Sequence, residues 1–214
     1  MKTVTQLIAC FLISIILGTS LYGLTTPIAL PDNDNEDGYF VTLELYQYRD
    51  GELIDTRIVE DDYILRNLVY IYLLGLAGDR SVESRAAYKI IDLTNVERTG
   101  SASSGLYFTS TDARIRVGTG SNPVSISNYA LQTEVMTQVV DDGKIWSNGN
   151  QFNVTADSTM VSPSAYAIRE CGLSVSWFDA SAFKTVLICR DVFSAINLNA
   201  GDVLTVRYIF RFNY

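Results

Sequence analysis

Apolar and polar positions alternate most clearly at the C-terminal end of the chain. Leu204, Val206, Tyr208, Phe210 and Phe212 interleave with Thr205, Arg207, Ile209, Arg211 and Asn213, which predicts a strand with one buried and one wet face. Just upstream, residues 165–191 read as a β-hairpin around Asp179, Ala180 and Ser181. With Phe178 set opposite Ala182, Trp177 faces Phe183, Val175 faces Thr185, Leu173 faces Leu187 and Cys171 faces Cys189. That register gathers apolar residues on one face and leaves Gly172, Ser174, Ser176 and Lys184 on the other, with Val186 and Ile188 as exceptions. It also predicts a disulfide between Cys171 and Cys189, with two buried thiols as the alternative.

The same alternation starts at Tyr39. It runs to Tyr48, turns at Asp50-Gly51, the preferred two-residue hairpin turn, and returns from Leu53 to Glu60. This register sets Arg49 opposite Glu52 and Glu44 opposite Arg57. A different period follows. Ile64, Leu65, Leu68, Val69, Tyr72, Leu73 and Leu76 recur at helical spacing between an Asp61-Asp62 cap and Gly78, predicting a helix over about residues 62–77. Strands are expected again at Tyr88–Leu93, Leu106–Ser110, Ala113–Val117, Leu131–Asp141 and Gln151–Ala156, with turns at Asp142-Gly143, Asn148-Gly149 and Asn199–Asp202. The count, about nine strands and one helix, predicts a mainly β protein. Its architecture is expected to be an antiparallel β-sandwich or jelly roll with one flanking α-helix, filling residues 39–214 as a single domain.

The first 24 residues belong to another class. Lys2 precedes an apolar run from Leu7 to Leu17, and Gly18 and Ser20 have the spacing of a cleavage site. The segment reads as a signal peptide or, if residues 7–24 are retained, as a membrane anchor. Either one places the folded part outside the cytoplasm, secreted or at the cell surface, or else on a virion membrane. Residues 25–38 form an extended acidic arm or linker. Leu24 to Pro31 lack helical character, and Leu24, Ile28 and Leu30 are candidate anchors for adding a strand to a neighbouring subunit. Pro27 and Pro31 count against this, since each removes a ladder donor, and a plain linker is the alternative.

Composition narrows the chemistry. A formal net charge of −8 argues against nucleic acid as a partner. The chain has no histidine, so it lacks the commonest general base and zinc ligand, and no activated nucleophile can be assembled from the motifs. The expectation is a protein that is not an enzyme. Asn33, Asn35, Asp37 and Glu44 nearly fit a calcium loop, because alternate oxygen donors and one late glutamate can wrap a single ion; a solvated acidic linker is the alternative. No other cofactor is expected. Gly118-Thr119-Gly120 lacks the third glycine and following helix of a phosphate loop and reads as a turn. Asn153-Val154-Thr155 is a glycosylation sequon.

Five short strings follow one another in a recognisable order. They are Gly118-Thr119-Gly120 with Pro123, Tyr129-Ala130-Leu131, Glu170-Cys171-Gly172-Leu173, Arg190-Asp191-Val192-Phe193-Ser194 and Ala200-Gly201-Asp202-Val203-Leu204-Thr205-Val206. In this order, from Phe40 onward, the chain resembles β-rich structural proteins of tailed phages and prokaryotic viruses. The resemblance implies a structural role in a virion. The hydrophobic leader and the cysteine pair depart from it and fit a secreted or membrane-anchored protein. The leading expectation is a non-enzymatic structural subunit of an extracellular assembly, a cell-surface filament or pilus-like homopolymer joined by strand donation. A membrane-anchored virion structural or attachment protein is the alternative, and a monomeric surface binding domain is the third.

Overall fold

A computed structural model describes residues 39–60, 65, 67–68, 70, 89–99, 106–107, 113–148, 151–178 and 182–213. Among them run twelve strands: β1 (Tyr39–Arg49), β2 (Glu52–Glu60), β3 (Lys89–Ile91), β4 (Glu97–Thr99), β5 (Leu106–Tyr107), β6 (Arg114–Gly118), β7 (Glu134–Val139), β8 (Asp142–Asn148), β9 (Gln151–Val161), β10 (Tyr166–Phe178), β11 (Phe183–Leu198) and β12 (Val203–Asn213). The protein is mainly β, and the pairings are antiparallel. A first sheet has the order β2-β1-β12-β9-β8; a second has β11-β10-β6-β7, with β5 also on β10; β3 and β4 form a separate pair.

One hydrophobic cluster draws on both five-stranded sheets. Val41, Leu43 and Leu45 of β1 and Leu204, Val206, Tyr208 and Phe210 of β12 come from the first; Ile115, Val117, Leu173, Val175, Trp177, Val186 and Ile188 come from the second. The alternation in β12 is therefore realised from Leu204 to Phe210, with Leu204, Val206, Tyr208 and Phe210 all buried, though Ile209 of the expected wet face is buried as well. Each fully buried aliphatic side chain contributes about 1.5–3 kcal/mol relative to exposure. A buried polar contact also joins the sheets, Tyr208 Oη donating to Asp191 Oδ2 at 2.7 Å. Between β7 and β8 the chain passes from one sheet to the other, with Val140 N donating to Ala113 O at 2.9 Å and Asp141 N to Asp157 O at 2.8 Å.

The first hairpin turns where expected. Asp50 and Gly51 both have positive φ, 52° and 85°, the left-handed pair that a tight hairpin needs, and Arg49 stands opposite Glu52. Beyond that point the expected register fails. A bulge makes Gln47 face Asp55 while Tyr48 faces Leu53, so Glu44 lies opposite Ile58 instead of Arg57. Arg57 is paired with Asp55 on its own strand.

The β10–β11 hairpin departs in the same way. Val175 faces Val186 and Trp177 faces Lys184, one residue away from the expected pairing, and a further shift then puts Leu173 opposite Cys189 and Cys171 opposite Asp191. Val186 and Ile188, the exceptions in the expected register, are core residues, and Phe183 is largely exposed. Cys171 and Cys189 are both buried but are not joined in a disulfide. They are diagonal neighbours, a relation of about 7–8 Å, beyond what the short disulfide geometry spans.

Two local expectations also change. Asp142-Gly143 is not a turn but the start of β8, with Gly143 opposite Ala156. The helix expected over 62–77 lies largely outside the described residues; Asn67, Leu68 and Tyr70 have helical backbone, and no flanking helix is established as an element. The leader (1–24) and the arm (25–38) also lie outside the described residues.

Candidate functional site

The densest polar constellation is buried in the second sheet. Glu170 sits on β10 between Gly118 of β6 and Val192 of β11, with its side chain fully buried. Its Oε1 accepts from Gly120 N at 3.0 Å and Thr133 N at 2.7 Å. Its Oε2 accepts from Gln132 N at 2.9 Å and from Arg190 Nε and Nη2 at 3.0 and 2.8 Å. Arg190, on β11 opposite Gly172, then donates to Asn128 Oδ1 at 3.0 Å and Asn122 O at 3.3 Å. One ion pair thus holds both ends and the middle of the 119–133 connection.

Glycine is required twice around this carboxylate. A Cβ on Gly118 would lie 2.5 Å from Glu170 Oε1, and one on Gly120 would lie 2.4 Å from the same atom. Burial alone would push the Glu170 carboxyl up, but the N–H groups of Thr133 and Gln132 and the Arg190 guanidinium outweigh it and hold the group below its ordinary value. The site is an anion clamp satisfied by internal donors.

Smaller clamps repeat the pattern. Asp202, buried at the turn before β12, accepts from Arg49 Nε and Nη2, Gln47 Nε2 and Asn199 N at 2.8–2.9 Å. The Arg49 contact and these other donors hold its carboxyl far below the usual range. Asp92 closes the β3–β4 turn by accepting from Thr94 N, Val96 N and Arg98 Nε. Buried Asn67 donates to Ile91 O at 2.8 Å and Leu187 O at 3.1 Å and accepts from Ile91 N.

The edges of the two sheets differ. Along β11, Leu65 N donates to Ile188 O and Leu93 N to Thr185 O, while Asn67 occupies Leu187 O, so this edge is covered by distant segments. Among the described residues no strand pairs with the outer side of β2. That edge carries Leu53, Ile54 and Ile58 at 54%, 45% and 58% exposure. On the wet face of the first sheet, Arg207 spans Asp157 at 3.0 Å and Glu44 at 3.6 Å.

The residues singled out from sequence fare unequally. Asn33, Asn35 and Asp37 of the calcium pattern and Leu24, Ile28 and Leu30 of the arm lie outside the described residues. Glu44 sits in mid-strand, accepting from Tyr46 Oη at 2.9 Å and facing Arg207. Asn153 is fully buried within β9, opposite Arg211 of β12, and a glycan cannot be carried on that side chain in the folded chain. Sequence reasoning passed over Glu170, Arg190, Asn67 and Asp202 as functional groups. The available signal was a charge set inside an otherwise apolar strand, Glu170 ahead of Cys171-Gly172-Leu173 and Arg190 after Leu187-Ile188-Cys189.

No family model, curated protein or solved structure matches this chain.

Proposed function

We propose that this chain is a non-enzymatic structural subunit of an extracellular assembly, a homopolymer such as a cell-surface filament, joined by strand addition. In this reading the two sheets close face to face as a β-sandwich of the jelly-roll class. The observation that carries it is the β2 edge, where three large aliphatic side chains stand exposed beside backbone that no strand among the described residues pairs. Such an edge is a template for another chain; on β2 the three aliphatic residues lie among Glu52, Asp55, Arg57 and Glu60, and the bulge opposite Gln47 and Tyr48 interrupts the ladder. The buried charged groups support the same reading, since Glu170, Arg190, Asp92 and Asp202 are engaged in fixing loops.

A membrane-anchored virion structural protein is the second reading. It is favoured by the meeting of Gly118, Gly120, Glu170 and Arg190, from three of the strings that carry the viral resemblance, in one clamp.

Intact mass and N-terminal sequencing of the native protein, with electron microscopy of the same sample, separate the two. Filaments whose subunits begin between Leu21 and Thr26 are the expected result, those beginning no later than Leu24 keeping all three arm residues Leu24, Ile28 and Leu30. Retention of Met1 in membrane-bearing particles would replace the first reading by the second, and a monomer at all concentrations would remove both.

A further inference from the structure

We infer that the outer edge of β2, which no strand among the described residues pairs, is the acceptor for residues Leu24 to Leu30 of a neighbouring copy, an inference that rests on the assembly reading and specifies its joint. The chain outside the described residues supplies a donor of suitable length. Seven extended residues span about 23 Å, against about 30 Å for the nine residues of β2. Residues 32–38 (Asp-Asn-Asp-Asn-Glu-Asp-Gly) lie between this segment and Tyr39, where β1 begins.

The prolines, an objection to strand addition at first sight, become an argument for it once their parity is considered. In an extended strand the N–H and C=O of one residue point to one side, and those of the next residue point to the other. Pro27 and Pro31 are four residues apart and therefore point the same way. Leu24, Thr26, Ile28 and Leu30 point the opposite way, and each keeps its N–H. A strand built like this can pair on its even-numbered side only. Docked on β2, it turns the proline side to solvent, where missing donors cost nothing and no further strand can be added. The joint therefore ends the sheet instead of propagating it sideways.

The side chains agree with the backbone. Leu24, Ile28 and Leu30 share one face of the donor because residues of one parity do. On the acceptor, Leu53 and Ile58 stand opposite Tyr48 and Glu44 of β1 and so share one face, both exposed, between the exposed carboxylates of Glu52 and Glu60. Each chain carries one donor and one acceptor, so the contact is head-to-tail and extends into a filament unless its rotation closes a ring. The β11 edge is a poorer seat, because Leu65, Asn67 and Leu93 already occupy Ile188 O, Leu187 O and Thr185 O.

The test uses co-expressed full-length chains with one added cysteine each. Ile28→Cys in one copy, with Leu53→Cys or Ile58→Cys in the other, is expected to give a cross-linked dimer on oxidation. Ala29→Cys, of the opposite parity, is expected to give roughly tenfold less, because a disulfide forms only over a short Cβ separation. Equal yields from Ile28→Cys and Ala29→Cys would overturn the inference, as would linkage confined to doubly substituted single chains. If assemblies are seen by microscopy but no cross-link forms, the seat on β2 is wrong and the assembly reading stands. If neither appears, both fall. Ile58→Lys, at a position 58% exposed, provides a second variant. It is expected to leave the circular dichroism spectrum unchanged and to raise the concentration needed for assembly about tenfold by replacing an aliphatic contact of the joint with a charge; an unchanged threshold overturns the inference.

Discussion

The Glu170–Arg190 pair of the second sheet and the Arg207–Asp157 pair of the first contain the same kinds of charged group at 2.8 and 3.0 Å. Their surroundings differ. The first pair is 0% and 2% exposed, whereas Arg207 is 42% exposed and Asp157 18%. Removing two ions from water costs several kcal/mol each, and this is offset only where nearly every lone pair and proton finds a partner. Glu170 meets that condition with three backbone N–H groups and the guanidinium. The three N–H groups come from one connection, so the clamp fixes the conformation of 119–133. Arg207 has a similar fork on Asp157 but remains in contact with water, where such pairs contribute little and are screened by salt. Similar contacts therefore specify structure in one place and merely decorate a wet face in the other.

The largest test of that contrast is to remove one partner of the buried pair. Glu170→Ala or Arg190→Ala leaves an uncompensated buried charge and is expected to cost about 3–5 kcal/mol, roughly 6–20 °C in melting temperature for a chain of this size. Urea unfolding measures it, and a loss below about 1 kcal/mol would equate this pair with a surface one. Gly120→Ala comes next. Its Cβ would stand 2.4 Å from Glu170 Oε1 and 2.5 Å from Gln132 Cβ, so a cost of about 1–3 kcal/mol is expected from overpacking alone.

Acid should separate the two regions further. Glu170, Asp202 and Asp92 all have folded-state pKa values below their ordinary ones. The unfolded chain therefore binds protons more tightly, and the stability these groups confer is complete above the ordinary carboxylate range and lost as pH falls through the folded values. Unfolding free energy is expected to be flat from pH 7 to about 5 and to fall below about pH 4. Glu170→Gln should flatten part of that acid slope, and an unchanged slope would remove Glu170 from it. The smallest effect belongs to Arg207→Ala, expected to cost about 0–1 kcal/mol in low salt, with most of that cost gone in about 1 M salt. A larger, salt-independent loss would show that the surface pair is also structural.

Much of the strand plan was legible because alternation is a local property. The β1–β2 turn followed from Asp50-Gly51, and the buried face of β12 followed from Leu204, Val206, Tyr208 and Phe210. The candidate edge was less legible: Leu53, Ile54 and Ile58 look like ordinary strand residues until β2 is placed at the end of a sheet among the described residues. The motif strings were visible, but their letters do not say that Glu170 and Arg190 are partners 20 residues apart, bridged to a third segment.

By itself the sequence determined that the chain is mainly β, which side of β12 carries its core residues and where the Asp50-Gly51 turn falls; it did not mark β8, whose first two residues read as a turn. Only the tertiary structure decided the register of the two hairpins and the burial of Val186, Ile188, Glu170 and Arg190. A bulge preserves alternation on both sides of itself while moving every later partner by one, so a hairpin read from alternation alone has more than one acceptable pairing. What selects among them lies elsewhere in the chain. Leu187 can occupy the outer face of β11 because Leu65 and Leu131 cover it, and this frees Val186 and Ile188 to enter the core. The same holds for charge. Glu170 is tolerated in a buried strand because the backbone of 120–133 supplies its donors, and that backbone is brought there by the fold.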